Sequence, residues 1–327
     1  MTSAAAEFRQ PPETCREDDA ERRVGFELEC AGPTVDQAAS ALRGALGGRL
    51  TGDSAAKMRL DVEELGTFHI EIDWEYLKRK AAEAEKDDAG GEWVELLKSV
   101  ATVVVPVEVV CPPIPLSRLH RLHAMTDALR AAGAAGTGDS VLAAFGVHIN
   151  AEAPALDPRS ITRYLKAFAL LQWWLVDAHE VDLTRRVTPY IDLYPQPYVS
   201  HLLKKEAATM ELVLADYLAH NPTRNRALDL LPLLANIDED SVRSVVDDPR
   251  IKPRPAFHYR LANCRIEDPD WSLPCPWNTW LVVEQLASRP GDIDRLSRDY
   301  LDADRPLIGV SRRDWVERID RWLRDRG

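Results

Sequence analysis

The chain has no apolar run approaching the roughly 20 residues a helix needs to cross a bilayer. It has no excess of positive charge either. Its 41 basic residues face 53 acidic ones, a net charge of −12, which makes the chain a poor candidate for general nucleic-acid binding and one that an anionic membrane surface would repel. Neither GxGxxG nor GxxxxGK[ST] occurs, which removes the ordinary phosphate cradles of dinucleotide and P-loop sites. The five cysteines, Cys15, Cys30, Cys111, Cys264 and Cys275, form no CxxC pair and no zinc spacing with histidine. Reduced thiols in a cytoplasmic protein are the expectation. Glu7, Arg9, Pro11, Pro12, Glu17, Asp18 and Asp19 leave no apolar centre for a signal peptide, and residues 1–20 are expected to form a disordered lead-in.

What is present suits a folded core: 45% of the 327 residues are hydrophobic. In Arg23–Cys30, Val24, Phe26 and Leu28 alternate with Gly25, Glu27 and Glu29, the period of a strand. A helix follows, with Thr34 as its cap and Gly47-Gly48 as its stop. Met58, Leu60 and Val62 alternate on one hairpin arm, and Phe68, Ile70 and Ile72 on the other. Two solvent-facing helices are expected over about 76–101, then strands at Val103–Val110, Val141–Glu152 and Phe257–Ile266. A helix over Leu116–Ala132, a helical insertion over about 155–250 and a helical segment over 276–327 complete the pattern. Hairpin neighbours are antiparallel. The fold class is therefore α+β, with a mostly antiparallel sheet of about six strands and helices packed on one face, in one catalytic domain over 21–327.

The carboxylates carry the chemical signal. Glu27 and Glu29 leave the same face of their strand, about 6–7 Å apart. Glu71 and Asp73 repeat the spacing, and Glu108 sits inside the valine-rich strand, where desolvation is costly without a partner. His148 and Asn150 share one face of their strand, as do His258 and Arg260 of theirs. Each pair taken singly also fits a solvated strand face, and Arg260 a salt bridge. Gathered on one sheet face, such acids would repel one another unless a divalent cation intervened. An oxygen-rich set with a histidine suits Mg²⁺ or Mn²⁺, and Mg²⁺ invites ATP phosphates. Trp173-Trp174 read as helix packing. Tyr190, Tyr194 and Tyr198 fit either a substrate mouth or a loop packed by its own aromatics.

The ordered motifs Gly25-Phe26-Glu27-Leu28-Glu29, Val107-Glu108-Val109-Val110-Cys111-Pro112-Pro113 and Gly146-Val147-His148-Ile149-Asn150 resemble those of the amidoligase family. The resemblance spans roughly residues 22–265. It implies a glutamine-synthetase-like or glutamate–cysteine-ligase-like sheet and an ATP-dependent carboxylate–amine ligase working through an acyl phosphate. By its motifs, Glu27, Glu29, Glu108 and His148 bind metal, with Glu71, Asp73 and His258 as further candidates. Glu27, Asn150 and Arg260 would contact the nucleotide, and Arg260 and Arg265 the transferred phosphoryl. The family's last strand often reads acid–aromatic–Arg, whereas this chain reads His258-Tyr259-Arg260. Small amino-acid-like or peptide carboxylates and amines are the implied substrates. An inactive interaction module on the same scaffold and a metal-dependent hydrolase are the alternatives.

Overall fold

Alternation of buried and exposed side chains decides the strands. The computed structural model describes residues 6–73, 106–136, 145–181, 191–205, 209–306 and 308–326. The chain begins with β1 (Arg23–Cys30), α1 (Val35–Leu46), β2 (Arg49–Ser54), β3 (Lys57–Val62) and β4 (Gly66–Ile72). Next come β5 (Val107–Val110), β6 (Ile114–Pro115), a 3₁₀ turn (Leu116–Arg121), α2 (Leu122–Ala131) and β7 (Gly146–Glu152). The helices α3 (Pro158–Ala178), α4 (Gln196–Lys204) and α5 (Met210–His220) follow, then β8 (Leu228–Asp229), α6 (Leu231–Ile237), α7 (Glu239–Val245) and β9 (Ala256–Asn263). The last three elements are α8 (Pro274–Ala287), α9 (Pro290–Ala303) and α10 (Arg312–Arg324).

The protein is α+β, and its open sheet has nine strands rather than six, in the order β2-β3-β4-β5-β1-β7-β9-β8 with β6 beside β1. The six expected strands are β1, β3, β4, β5, β7 and β9. The extra ones escape a periodicity search for physical reasons. β6 and β8 are two residues long, and β2 (Arg-Leu-Thr-Gly-Asp-Ser) has one large apolar side chain. The two helices expected over about 76–101 lie outside the described residues.

The fold divides into two compact units. The first comprises residues 1–7, 25–147 and 263–273. In it β2, β3, β4, β5 and β1 pair antiparallel in sequence of position. Leu28, Leu60, Phe68, Ile70 and Val109 are buried, and α1 packs against β3, β4 and α2. A full capping box starts α1: Thr34 accepts from the Gln37 N–H, and the Gln37 side chain accepts from the Thr34 N–H. Gly32 (φ 103°) makes the turn between β1 and α1, where an added Cβ would lie 2.2 Å from the Gly133 carbonyl oxygen.

The second unit comprises residues 8–24, 148–262 and 274–327. Its core is α3, buried along most of its 21 residues against α8, α9 and α10. Arg22 and Glu284 form an ion pair at its centre, 1% and 0% exposed. Both Arg22 Nη atoms donate to the Glu284 carboxylate at 2.8 and 2.9 Å. The Tyr164 hydroxyl and the Trp280 indole donate to it as well. This saturation of donors and acceptors is what a buried ion pair requires. Residues 6–20 are not a loose lead-in. The Arg9 N–H donates to Asn278, the Trp277 indole donates to the Arg9 carbonyl, and Arg16 pairs with Glu152. The tie comes from side chains more than a hundred positions away, which no local pattern signals. Trp173 packs 6.1 Å from the Tyr300 ring, and Tyr194 and Tyr198 are buried in this unit. Tyr190 lies outside the described residues.

Candidate active site

In the first unit, antiparallel register sets four charged side chains in one row across four strands. Lys57 opposes Glu71, Glu71 opposes Glu108, and Glu108 opposes Glu29. Directly opposed residues project from the same face. Glu27 and Asp73 stand two positions along from Glu29 and Glu71, so they share that face too. Five acids predicted from the sequence are therefore brought together. The backbone of Asp73 donates to the Pro106 carbonyl, which holds it at the end of the row, 6% exposed.

The electrostatics of the row follow from its crowding. Burial, and then the charges of Glu27, Glu29, Asp73 and Glu71, push the Glu108 carboxyl well above its ordinary range. The Lys57 ammonium lies 2.8 Å from Glu71, and the Gly146 N–H donates to Glu29 Oε2 at 2.8 Å. Glu29 thus also anchors the start of β7. His69 belongs to the same face, in a row with Arg59, Val110 and Glu27, and sequence reading passed over it. Its alternation with Phe68 and Ile70 was the available signal. A donor set made of carboxylate oxygens fits a hard divalent cation, which would offset the crowding of negative charge around Glu108.

In the second unit, His148 on β7 and His258 on β9 meet edge to face, with ring centroids 5.2 Å apart and ring nitrogens within 4.8 Å. Both are buried. The acid absent from the last strand's own sequence has a neighbouring counterpart. Asp229 of β8 pairs with His258 in register, its Oδ2 3.7 Å from His258 Nδ1, and it is 1% exposed. The Leu231 N–H holds Oδ1 of Asp229. Asp229 could not be picked out beforehand because its strand is two residues long.

Arg260 Nη1 donates to the Arg224 carbonyl at 2.6 Å. Burial, and then the like charges of Arg260 and Arg250, lower the Arg224 guanidinium below its usual value. The Asp248 carboxylate, 3.8 Å from Arg224 and 2.6 Å from Arg250, offsets part of this crowding, and Arg224 joins Arg260 as a candidate. Asn150 accepts from two nitrogens of Arg254 at 3.0 and 2.8 Å, so its amide oxygen is engaged in orienting that guanidinium. Arg265, in the first unit, pairs with Asp268 at 3.2 Å and is 42% exposed. Glu27, Glu29, Glu71, Asp73 and Glu108 thus gather in the first unit, and His148 with His258 and Arg260 with Arg224 in the second.

The carboxylate row and the GxExE strand that begins it point to a known family. Residues 20–282 match the family model described as "Putative amidoligase enzyme". The chain belongs to this amidoligase family. No curated protein and no solved structure matches it. Among the described residues, no helix is long and apolar enough to cross a membrane.

Proposed function

We propose that this amidoligase is an ADP-forming carboxylate–amine ligase that uses ATP and Mg²⁺ (or Mn²⁺). The observation that carries the reading is the register-matched row Glu71, Glu108 and Glu29 with Glu27 beside it, in a chain of this family. In this reading Glu27, Glu29, Glu71, Asp73 and Glu108 supply oxygen ligands, and His148 and His258 supply imidazole ligands. Bound MgATP would supply the phosphoryl group that converts a substrate carboxylate to an acyl phosphate, from which an amine displaces phosphate to form the amide.

The chain's own residues position and stabilise. In this reading Arg260 and Arg224, whose guanidinium groups crowd one another, would offset negative charge developing on a transferred group. Asp229, buried 3.7 Å from His258 Nδ1, is a carboxylate neighbour for that ring. Asn150 acts through Arg254, and Arg265 is a second contact for phosphate. Small amino-acid-like or peptide carboxylates and amines are the proposed substrates, and a cytoplasmic setting suits both ATP and the free thiols.

The test is ADP release from the full-length protein with MgATP and panels of carboxylates and amines. ADP should form only when both an acid and an amine are present. Glu27→Ala and Arg260→Ala should each abolish release, while Glu64→Ala, on the exposed β3–β4 turn, should leave it unchanged. Metal-dependent cleavage without ATP would replace this reading with a hydrolase, and absence of Mg²⁺-dependent ATP binding with an interaction module.

A further inference from the structure

A second cluster of metal-binding side chains lies in the second unit, on residues that the ligase reading does not use. His201 comes from the last turn of α4, and Asp216 and His220 from α5. Asp216 and His220 are four residues apart on one helix and so share a face. His201 Nε2 donates to Asp216 Oδ1 at 2.6 Å. His220 Nδ1 lies 4.0 Å from that same oxygen and donates to the Asp216 carbonyl at 2.9 Å. One ligand atom from each of the three residues falls within 4.8 Å of the other two. The two imidazole centroids are 4.6 Å apart, and the Tyr198 ring stacks on His220 at 5.1 Å, which restrains both rings. The carboxylate is 16% exposed and the histidines 34 and 36%, so the cluster is held by packing yet open to solvent on one side.

We infer that His201, Asp216 and His220 form a binding site for a divalent transition-metal ion of the Zn²⁺ class, clipping α4 to α5. Two imidazoles and one carboxylate favour Zn²⁺ or Co²⁺ over Mg²⁺, which prefers oxygen throughout. A tetrahedral ion with bonds of about 2.0–2.1 Å holds its ligand atoms about 3.3 Å apart. The present separations of 2.6 and 4.0 Å straddle that value, and the shell is completed when the ring protons now donated to Asp216 leave and His220 Nδ1 turns away from the Asp216 carbonyl. The site has three protein ligands, and water fills the remaining position. The Lys205 ammonium, 2.8 Å from Asp216 Oδ1, occupies the carboxylate in the absence of an ion. It is 53% exposed and carried on a flexible stem, so it can withdraw when an ion binds.

The test uses the full-length chain stripped with chelator and titrated with Co²⁺, read by its visible absorption, and with Zn²⁺ in competition with a chromogenic chelator. One equivalent should bind with a tetrahedral Co²⁺ spectrum and raise the melting temperature. His201→Gln, His220→Gln and Asp216→Asn should each lose that equivalent while still unfolding cooperatively without metal. Lys205→Met should bind several-fold more tightly, an outcome that a purely structural ion pair does not predict. A His148→Gln/His258→Gln double variant should retain the equivalent, which separates this site from the ligase centre. If His201→Gln and Asp216→Asn both keep the Co²⁺ spectrum and stoichiometry, or if the stripped wild type takes up no tetrahedral Co²⁺, the inference is overturned. Should a variant fail to fold, the Lys205→Met affinity decides.

Discussion

Glu108 is a residue whose environment opposes its charge. It is half-buried, and desolvation together with four neighbouring carboxyls holds its own above the ordinary value of 4.5. A carboxyl raised in the folded state contributes fully to stability below its unfolded value, and that contribution is lost as pH rises through the folded value. Metal-free Glu108→Gln should therefore melt higher than wild type at neutral pH, with the difference closing as pH falls below the carboxylate range. Thermal unfolding in EDTA across that range checks this. The same variant should release no ADP, a trade of activity for stability at one position. Arg22 is the opposite case, a charge whose partners are complete. Arg22→Met leaves Glu284 buried with its charge unpaired and should cost about 3–5 kcal/mol in urea unfolding. Tyr164→Phe removes one neutral donor from the same carboxylate and should cost less, about 1–2 kcal/mol.

At the scale of elements, the strands that sequence periodicity found are those with a buried face of several residues. β1 reads as a strand because Phe26 and Leu28 are fully buried while Glu27 and Glu29 are not. β2 and β8 were not legible, since a polar edge and a two-residue bridge take their conformation from the strand beside them. Asp229 was missed for this reason, and with it the carboxylate next to His258. Helix ends, by contrast, follow local chemistry. The Thr34 cap of α1 was readable, and Thr34→Ala should cost about 1 kcal/mol, measured by equilibrium denaturation, with little effect on metal affinity.

The whole molecule carries a net charge of −12, part of it concentrated in the acid row. General self-repulsion is screened over about 10 Å at 0.1 M salt. KCl should therefore raise the melting temperature modestly. MgCl₂ at matched ionic strength should raise it further, by mass action on the folded state. Equal shifts for the two salts would mean that screening accounts for the whole effect and that no Mg²⁺ binds. In the Glu27→Ala variant the extra shift from MgCl₂ should disappear while the KCl shift remains.

The sequence by itself determined the α+β class, the identity of the long strands, the cap of α1 and the family, because these depend on side-chain period and on short contiguous motifs. It also marked the acids, since a glutamate within a valine-rich strand stands out at any register. Only the tertiary structure decided which acids oppose one another. A shift of one residue in strand pairing would move Glu108 away from Glu71 and Glu29 without changing a single local propensity. The pairing of Asp229 with His258, the crowding of Arg224 against Arg260, and the meeting of His201 with Asp216 are likewise products of long-range packing. Each joins side chains whose separation along the chain carries no trace of their distance in space.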